Sequence, residues 1–251
     1  MSGIRFYFCW AFPPALLAKN YYRDSLKNKT KPAFAIFLRT PKPGRVKTRL
    51  AKDTGKDIAA LTYRLCANNI IRECSGLSRD ICKYIFFDDI NDFKLIKNWA
   101  GKQFVYVEQD PGTLGQRLEH AISTMLSHGH EKVLVLASDT PDLSSNIILN
   151  AITLLNNNDV IVGPSCDGGY YLIGMKKMYY QLFRDIPWST GKVLQETLAR
   201  ASEMGLSIGM LPELIDIDTI EDLRAYINGS HNELSRSLQT LLPQNDQSKL
   251  I

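Results

Sequence analysis

Four short stretches of this 251-residue chain combine side chains able to do chemistry, and each lies at the end of an apolar run. The first is Arg39-Thr-Pro-Lys-Pro-Gly-Arg-Val-Lys-Thr-Arg49; from Arg39 to Lys52 it holds six basic residues and no acid. Turned backbone around Pro41, Pro43 and Gly44, followed by cations at the start of a helical stretch, is what phosphate binding requires. Arg39, Gly44, Arg45, Lys47 and Arg49 are therefore candidate nucleotide or phosphate ligands, with Arg117 as a helper from another loop. The bland alternative is a solvated basic face. A Walker A loop is excluded, because the second glycine is missing.

The second stretch, Ser138-Asp-Thr-Pro-Asp142, follows KVLVLA, and a carboxylate there suits Mg²⁺ or Mn²⁺ held jointly with phosphate oxygens. Asp139 is the candidate ligand and catalytic group, while Asp142 or Ser144 caps the next helix. The third stretch, Asp167-Gly-Gly-Tyr170, reads either as a hairpin turn or as a place of close ligand approach, with Asp167 as a candidate base. In the fourth, Asp216 and Asp218 flank Ile217 and share one side of an extended segment, so either could give a metal its second carboxylate. Gly168, Gly169, Tyr170, Trp188, Ser189 and Thr190 are candidates for the acceptor side, although Trp188 fits a core position equally well. Other chemistries fail on spacing: H-E-x-x-H, G-x-S-x-G, G-x-G-x-x-G and C-x-x-C are all absent.

The elements that must position these groups alternate between strand and helix. Strands are expected at Ala33–Leu38, Ile81–Phe87, Phe104–Val107, Lys132–Ala137, Val160–Val162, Tyr170–Ile173 and Ser207–Leu211. Helices are expected at Lys56–Cys74, Asp92–Ala100, Gly115–Leu126, Ser145–Leu155, Lys192–Met204 and Thr219–Ile227. In the first of these, Ile58, Leu61, Leu65 and Ile70 fall near one face, and Thr219 is a plausible N-cap for the last. Such alternation predicts an α/β fold with a mainly parallel central sheet covered by helices on both faces. Ligands of such sheets sit beyond the carboxyl ends of the strands, where the four stretches fall.

The formal charge is +4, from 30 basic and 26 acidic residues, and residues 1–31 alone carry six bases against one acid. The body is thus close to neutral and offers nothing to nucleic acid, and the basic stretch has no aromatic interleaving. Three segments follow: a basic extension at 1–31, a catalytic domain at 32–228, and a polar tail at 229–251 with little structural signal. Phe6–Ala18 is uncharged but too short to cross a membrane, and Pro13-Pro14 interrupts it. An arm or a packed strand is the preferred reading there, with a membrane-surface anchor as the minor one. Five scattered cysteines read as reduced thiols, consistent with a cytoplasmic protein.

Over about Ala33–Ile227 the chain resembles a bacterial family of GT-A-like glycosyltransferases. The resemblance rests on the order of Pro41–Leu50 (P-x-P-G-x-V-K-T-R-L), Leu114–Arg117 (L-G-x-R), Asp139–Pro141 (D-x-P), Gly163–Gly174 (G-P-x-x-D-G-G-Y-Y-L-I-G), Pro187–Thr190 (P-W-S-T) and Asp216–Leu223 (D-x-D-T-x-E-D-L). It implies the nucleotide-diphosphosugar transferase fold and a Mg²⁺-dependent transfer from an activated nucleotide to a small-molecule acceptor. Some relatives are linked to arsenosugar biosynthesis, a role not carried over here. Two positions depart from the family pattern: Arg39 replaces a usual Lys, and Thr113 replaces a usual Asp before L-G-x-R. The D-x-D of many GT-A enzymes is also missing, and Asp139-Thr-Pro-Asp142 is nearer the D-x-P of related nucleotidyltransferases. The expected activity is glycosyl transfer from a nucleotide-diphosphosugar. The alternatives are nucleotidyl transfer with release of pyrophosphate, and a catalytically silent nucleotide-binding module.

Overall fold

Apolar, β-branched and aromatic runs too short for helices form the centre of the molecule. A computed structural model describes residues 31–242. Most of the basic extension (1–30) and the end of the polar tail (243–251) lie outside the described residues. The strands are β1 (Ala33–Leu38), β2 (Cys82–Phe87), β3 (Val105–Glu108), β4 (Val133–Leu136), β5 (Val160–Pro164), β6 (Tyr170–Met175) and β7 (Ile208–Met210). They form one seven-stranded sheet in the order β3-β2-β1-β4-β6-β5-β7. All pairings are parallel except those of β6, which runs antiparallel to both β4 and β5. The mainly parallel sheet is as expected, and Asp167-Gly-Gly is the tip of the β5–β6 hairpin.

Helices α1 (Ala51–Thr54), α2 (Lys56–Ser75), α3 (Phe93–Ala100), α4 (Leu114–Ser127), α5 (Ser145–Leu154), α6 (Val193–Glu203), α7 (Ile220–Gly229) and α8 (Glu233–Gln239) surround it. Alternation along each strand sorts side chains between two cores. Phe34, Ile36 and Leu38 of β1 pack with α2, α3 and α5 on one face, and Ala33 and Ala35 pack with α4 and α6 on the other. A third cluster joins Leu50, Ala59 and Cys66 to Ile220, Leu223, Tyr226 and Leu238, so α7 and α8 cover the outer side of α2.

Two sequence expectations change. The buried residues of α2 are Ala59, Ala60, Thr62, Tyr63, Cys66, Ala67, Ile70, Ile71 and Cys74, whereas Leu61 is 41% exposed. Small residues let this helix lie close to the sheet, and that stripe outweighs the large aliphatics in deciding which side turns inward. The tail after Gly229 is not featureless either: Asn232 caps α8 by accepting from Ser235 N–H at 2.8 Å, and Leu238 is fully buried. The cap of α7 is as read, with Thr219 and Asp222 forming a reciprocal capping box. All four cysteines among the described residues are free thiols.

At the end of the sheet where β1 begins, a buried polar relay closes the structure. His130 Nδ1 lies 2.9 Å from the Lys31 carbonyl, which can only accept, so Nδ1 carries the proton. Nε2 then accepts from the Tyr84 hydroxyl at 2.9 Å, and His128 Nδ1 approaches the same hydroxyl at 3.0 Å. Burial lowers the pKa of both histidines, and in His130 the Lys31 carbonyl opposes that shift only in part. Because the unfolded chain takes up protons first, the contribution is complete above the ordinary histidine value of 6.5 and is lost as pH falls below it. Urea unfolding should therefore show a larger loss of stability between about pH 7.5 and 5.5 in the wild type than in His130→Gln. Equal pH dependence in the two proteins would contradict the assignment.

Candidate active site

Parallel strands β1 and β4 lie side by side and release their following loops at the same end of the sheet, Ile36 level with Leu136. The Arg39–Lys52 and Ser138–Asp142 stretches therefore meet. Ile217 N–H donates to the Asp139 carbonyl at 3.3 Å, which ties in the Asp216–Asp218 segment from far along the chain. Ile217 turns into the core, while the aspartates on either side of it reach Thr140 and Lys47.

At the centre is one lysine. Lys47 Nζ lies 2.7 Å from Asp139 Oδ2 and 2.6 Å from Asp218 Oδ1, with its side chain only 3% exposed. Burial alone would lower its pKa, but the two carboxylates outweigh burial and hold the ammonium well above its usual value. For Asp218 the same balance runs the other way: burial raises its pKa, and Lys47 with Arg49 and Arg39 lowers it further, to below the normal carboxylate range. Lys47 also sits at φ 48°, a left-handed conformation unusual for lysine. Such local strain persists where surrounding contacts over-determine the residue, and here two ion pairs do so.

Asp216 stands apart from that pairing. It accepts a hydrogen bond from Thr140 Oγ1, and burial together with the neighbouring Asp139 charge pushes its pKa up to about 7. Asp139 and Asp216 are thus two acids whose mutual repulsion no lysine fully relieves.

Lys47, Asp139 and Asp218, but not Asp216, border a cleft of about 470 Å³. Arg39, Lys47, Thr48, Arg49, Asp139 and Asp218 form its charged half. Phe37, Leu114, Leu118, Val135, Ile173 and Tyr170 form an apolar half under the start of α4, with Gln109, Arg117 and Ser189 also lining it. Ser189 too is left-handed, at φ 65°. The Arg117 Nε is buried without a partner, and its Nη1 is 3.4 Å from Gln109 Oε1.

The other expected residues lie elsewhere. Arg45 pairs with Asp89 at 3.1 Å, and Lys42 reaches Asp92 at 2.6 Å, so this half of the basic loop is fastened to the segment after β2 and does not face the cleft. Gly44, at φ 79°, allows the turn between those two cations. Asp167 accepts from Ser165 Oγ (2.6 Å) and Gly169 N–H (2.8 Å), which engages its Oδ1 in the hairpin tip. A Cβ on Gly168 would come within 2.2 Å of the Gly191 carbonyl oxygen, so Gly168 serves close backbone approach, whereas one on Gly169 would meet the Asp167 and Ser165 side chains at 3.1 and 3.2 Å. Trp188 packs on Gly115 and edge-on to Tyr170, which makes it a wall behind Tyr170. Thr190 bonds the Pro187 carbonyl within its own turn. The helix after Asp142 is capped by Ser144, and Asp142 bonds Tyr226 instead. Among the described residues no group of three His, Cys, Asp or Glu side chains could hold a metal ion, so Asp139, Asp216 and Asp218 do not form the ready-made cage a resident ion would need.

Three positioning residues escape a sequence reading. Tyr63 of α2 accepts from Arg39 N–H and contacts Ser138 Oγ, both at 2.8 Å, bridging the loops after β1 and β4. Burial pushes its phenol up to about 12, so it stays protonated. Asn69 holds the Pro141 carbonyl at 2.8 Å. Gln109 anchors on the Phe86 carbonyl at 2.8 Å while its oxygen faces Arg117. Nothing local distinguishes them from ordinary helix and strand-end residues.

A protein from Desulfovibrio desulfuricans G20, described as a "putative nucleotide-diphospho-sugar transferase", superimposes with a TM-score of 0.79 at 30% identity, covering 88% of this chain and 96% of that one. The chain belongs to this family of nucleotide-diphospho-sugar transferase-like proteins. A family model described as "uncharacterized protein conserved in bacteria" (DUF2064) matches residues 76–190. The fold is also that of a nucleotidyl transferase from Methanothermobacter thermautotroptrophicus, at a TM-score of 0.50 and 16% identity, covering 76% of this chain and 94% of that one. No curated protein matches the chain.

Within the family, Thr113 has a physical explanation. It is the N-cap of α4, in a reciprocal capping box with Gln116. Asp and Thr are both good N-caps, so the departure from the family pattern preserves the helix start behind Arg117.

The acids give a stability test. Asp216→Asn keeps an acceptor for Thr140 and removes the repulsion from Asp139, so the variant should be more stable than wild type by about 2 kcal/mol near pH 8. The gain should shrink steadily as pH falls below about 7, where the folded wild-type carboxyl takes up its proton, and be gone near the ordinary carboxylate value of 3.8. A pH-independent difference, or a loss of stability, in urea titrations would refute this electrostatic account.

Proposed function

We propose that this chain is a divalent-cation-dependent transferase using a nucleotide-diphosphosugar as donor, with the cleft above β1 and β4 as its active site. The observation that carries the reading is the buried Lys47 ammonium between Asp139 and Asp218 at a cleft also lined by Arg39, Arg49 and Arg117. Such a site keeps Lys47, Asp139 and Asp218 paired without ligand and can exchange partners when a diphosphate arrives. Lys47 and Arg49 then turn to phosphate oxygens, which they bind with charge-assisted hydrogen bonds. That exchange releases Asp139 to join Asp216 as a carboxylate pair.

Two carboxylates plus phosphate oxygens are what Mg²⁺ or Mn²⁺ ordinarily takes, so the residues fit an ion that arrives with the nucleotide. When bound, it would neutralise charge building on the departing diphosphate. The preorganised cations around it serve the same demand, the main electrostatic one of the reaction. Tyr63, through Arg39 and Ser138, fixes the two loops at the spacing this needs. Tyr170 and Ser189 border the side left for the acceptor.

Nucleotidyl transfer is the second reading, favoured by the Asp139-Thr-Pro loop and the density of cations. The silent-module reading loses its motive, since Thr113 does the capping work of the residue it replaces.

A thermal-shift screen of sugar nucleotides and nucleoside triphosphates with Mg²⁺, followed by product analysis, tests the proposal. A sugar nucleotide should raise the melting temperature, and turnover should release a nucleoside diphosphate. Asp139→Ala should abolish turnover, and Lys47→Ala with Arg49→Ala should weaken nucleotide binding by at least about tenfold. Release of pyrophosphate from a triphosphate would select the second reading. Unchanged affinity and rate in the variants would remove the site altogether.

A further inference from the structure

One cation of the cleft has no part in the exchange proposed for Lys47 and Arg49. The loop that carries Lys47 is held by Tyr63 of α2, on one face of the sheet. Arg117 comes from α4 on the other face, where Phe37, Leu118, Val135 and Ile173 pack together. Its guanidinium is poorly satisfied by the protein: Nε is buried without a partner, and Nη1 reaches only Gln109 Oε1, at 3.4 Å. No carboxylate among the described residues pairs with it. Gln109 is itself fixed, because its backbone N–H donates to the Phe87 carbonyl and its side-chain amide to the Phe86 carbonyl, both at 2.8 Å. One anchored oxygen thus steers the guanidinium fork without saturating it.

The chemistry of that fork and of its surroundings defines a ligand. A guanidinium is always charged, and its paired N–H groups match the two oxygens of a carboxylate. A buried donor without an acceptor is costly, so an oxyanion entering the cleft gains where water does not reach. The wall beside it is apolar, made by Phe37, Leu118, Val135, Ile173 and the ring of Tyr170. Leu114, the first residue of α4, adds to this wall with its side chain 44% exposed. A sugar ring, with a hydroxyl on most of its carbons, gains little from such a surface. An aromatic or aliphatic body gains by leaving water there.

We propose that this half of the cleft is the acceptor subsite, and that it selects a small hydroxy acid with an apolar body. Its carboxylate would occupy the Arg117 fork, its body would lie against Phe37, Leu114 and Ile173, and its hydroxyl would face the donor. Arg117 is then a specificity-determining residue for the acceptor rather than a ligand of the diphosphate. In the transfer, the hydroxyl oxygen bonds to the anomeric carbon as the bond from that carbon to the diphosphate breaks. The nucleoside diphosphate leaves with the electron pair, and the hydroxyl proton passes to water. The word acceptor rests on the transferase reading of the cleft, whereas the carboxylate subsite can be tested without it.

The test uses 4-hydroxyphenylacetate and its neutral amide, which differ in charge and hardly in shape. Inorganic pyrophosphate with Mg²⁺ serves as a separate probe of the charged half. Binding of each to the full chain is measured by NMR titration. The wild type should bind the acid at least about tenfold more tightly than the amide. Arg117→Met should abolish that preference, and Arg117→Lys, which keeps the charge but loses the fork, should retain part of it. Pyrophosphate should bind the wild type and both variants with affinities within about twofold of one another, which also shows that the variants fold. Equal affinity of the wild type for acid and amide, no binding of the acid, or an undiminished preference in Arg117→Met would overturn the proposal. So would a large loss of pyrophosphate affinity in Arg117→Met, which would assign Arg117 to the donor phosphates. A wild type that prefers the acid but ignores pyrophosphate would uphold the carboxylate subsite and refute the transferase reading.

Discussion

Everything at the cleft depends on where the Lys47 ammonium sits. A buried cation without partners is costly, and so are two carboxylates facing each other across a turn. Placing Lys47 between Asp139 and Asp218 solves both problems and ties together segments 92 and 171 residues distant from it. The loops after β1 and β4 and the approach to α7 cannot move independently while those bonds last. The same arrangement makes the site responsive: a ligand that offers oxygens to Lys47 frees a carboxylate at once.

The scaffold that makes this meeting possible is ordinary. Short parallel strands set β1 and β4 side by side, two cores hold helices against both faces, and α7 with α8 braces α2 from outside. Tyr63, Asn69 and Gln109 then transmit the position of α2 and β2 to the loops. The loops that carry the charged side chains are therefore held through backbone groups at Arg39, Pro141 and Phe86.

Much of this was legible in the chain. Periodicity located every strand and the main helices, and the strand-end rule put forward Arg39, Arg45, Lys47, Arg49, Asp139, Asp216 and Asp218 together without saying which of them meet. Pairing was not legible. Nothing near Arg45 announces Asp89, and nothing near Lys47 says that its first partners are carboxylates rather than phosphates. The inward face of α2 was hidden because an Ala-Cys-Tyr stripe is less conspicuous than Leu61, which the fold leaves outside. Helix α8 was hidden because its polar residues dilute a short apolar spacing. In each case the missing information is a long-range contact, which local composition does not encode.

The central claim is that metal and nucleotide occupy this site together, because Lys47 holds Asp139 until a diphosphate replaces it. Calorimetric titration of Mg²⁺ into the protein with and without a nucleoside diphosphate measures this coupling directly. The account predicts feeble Mg²⁺ binding alone, with affinity rising by at least about tenfold when the diphosphate is present and the reciprocal gain for the diphosphate. Tight Mg²⁺ binding to the nucleotide-free protein, or diphosphate binding indifferent to Mg²⁺, would contradict it.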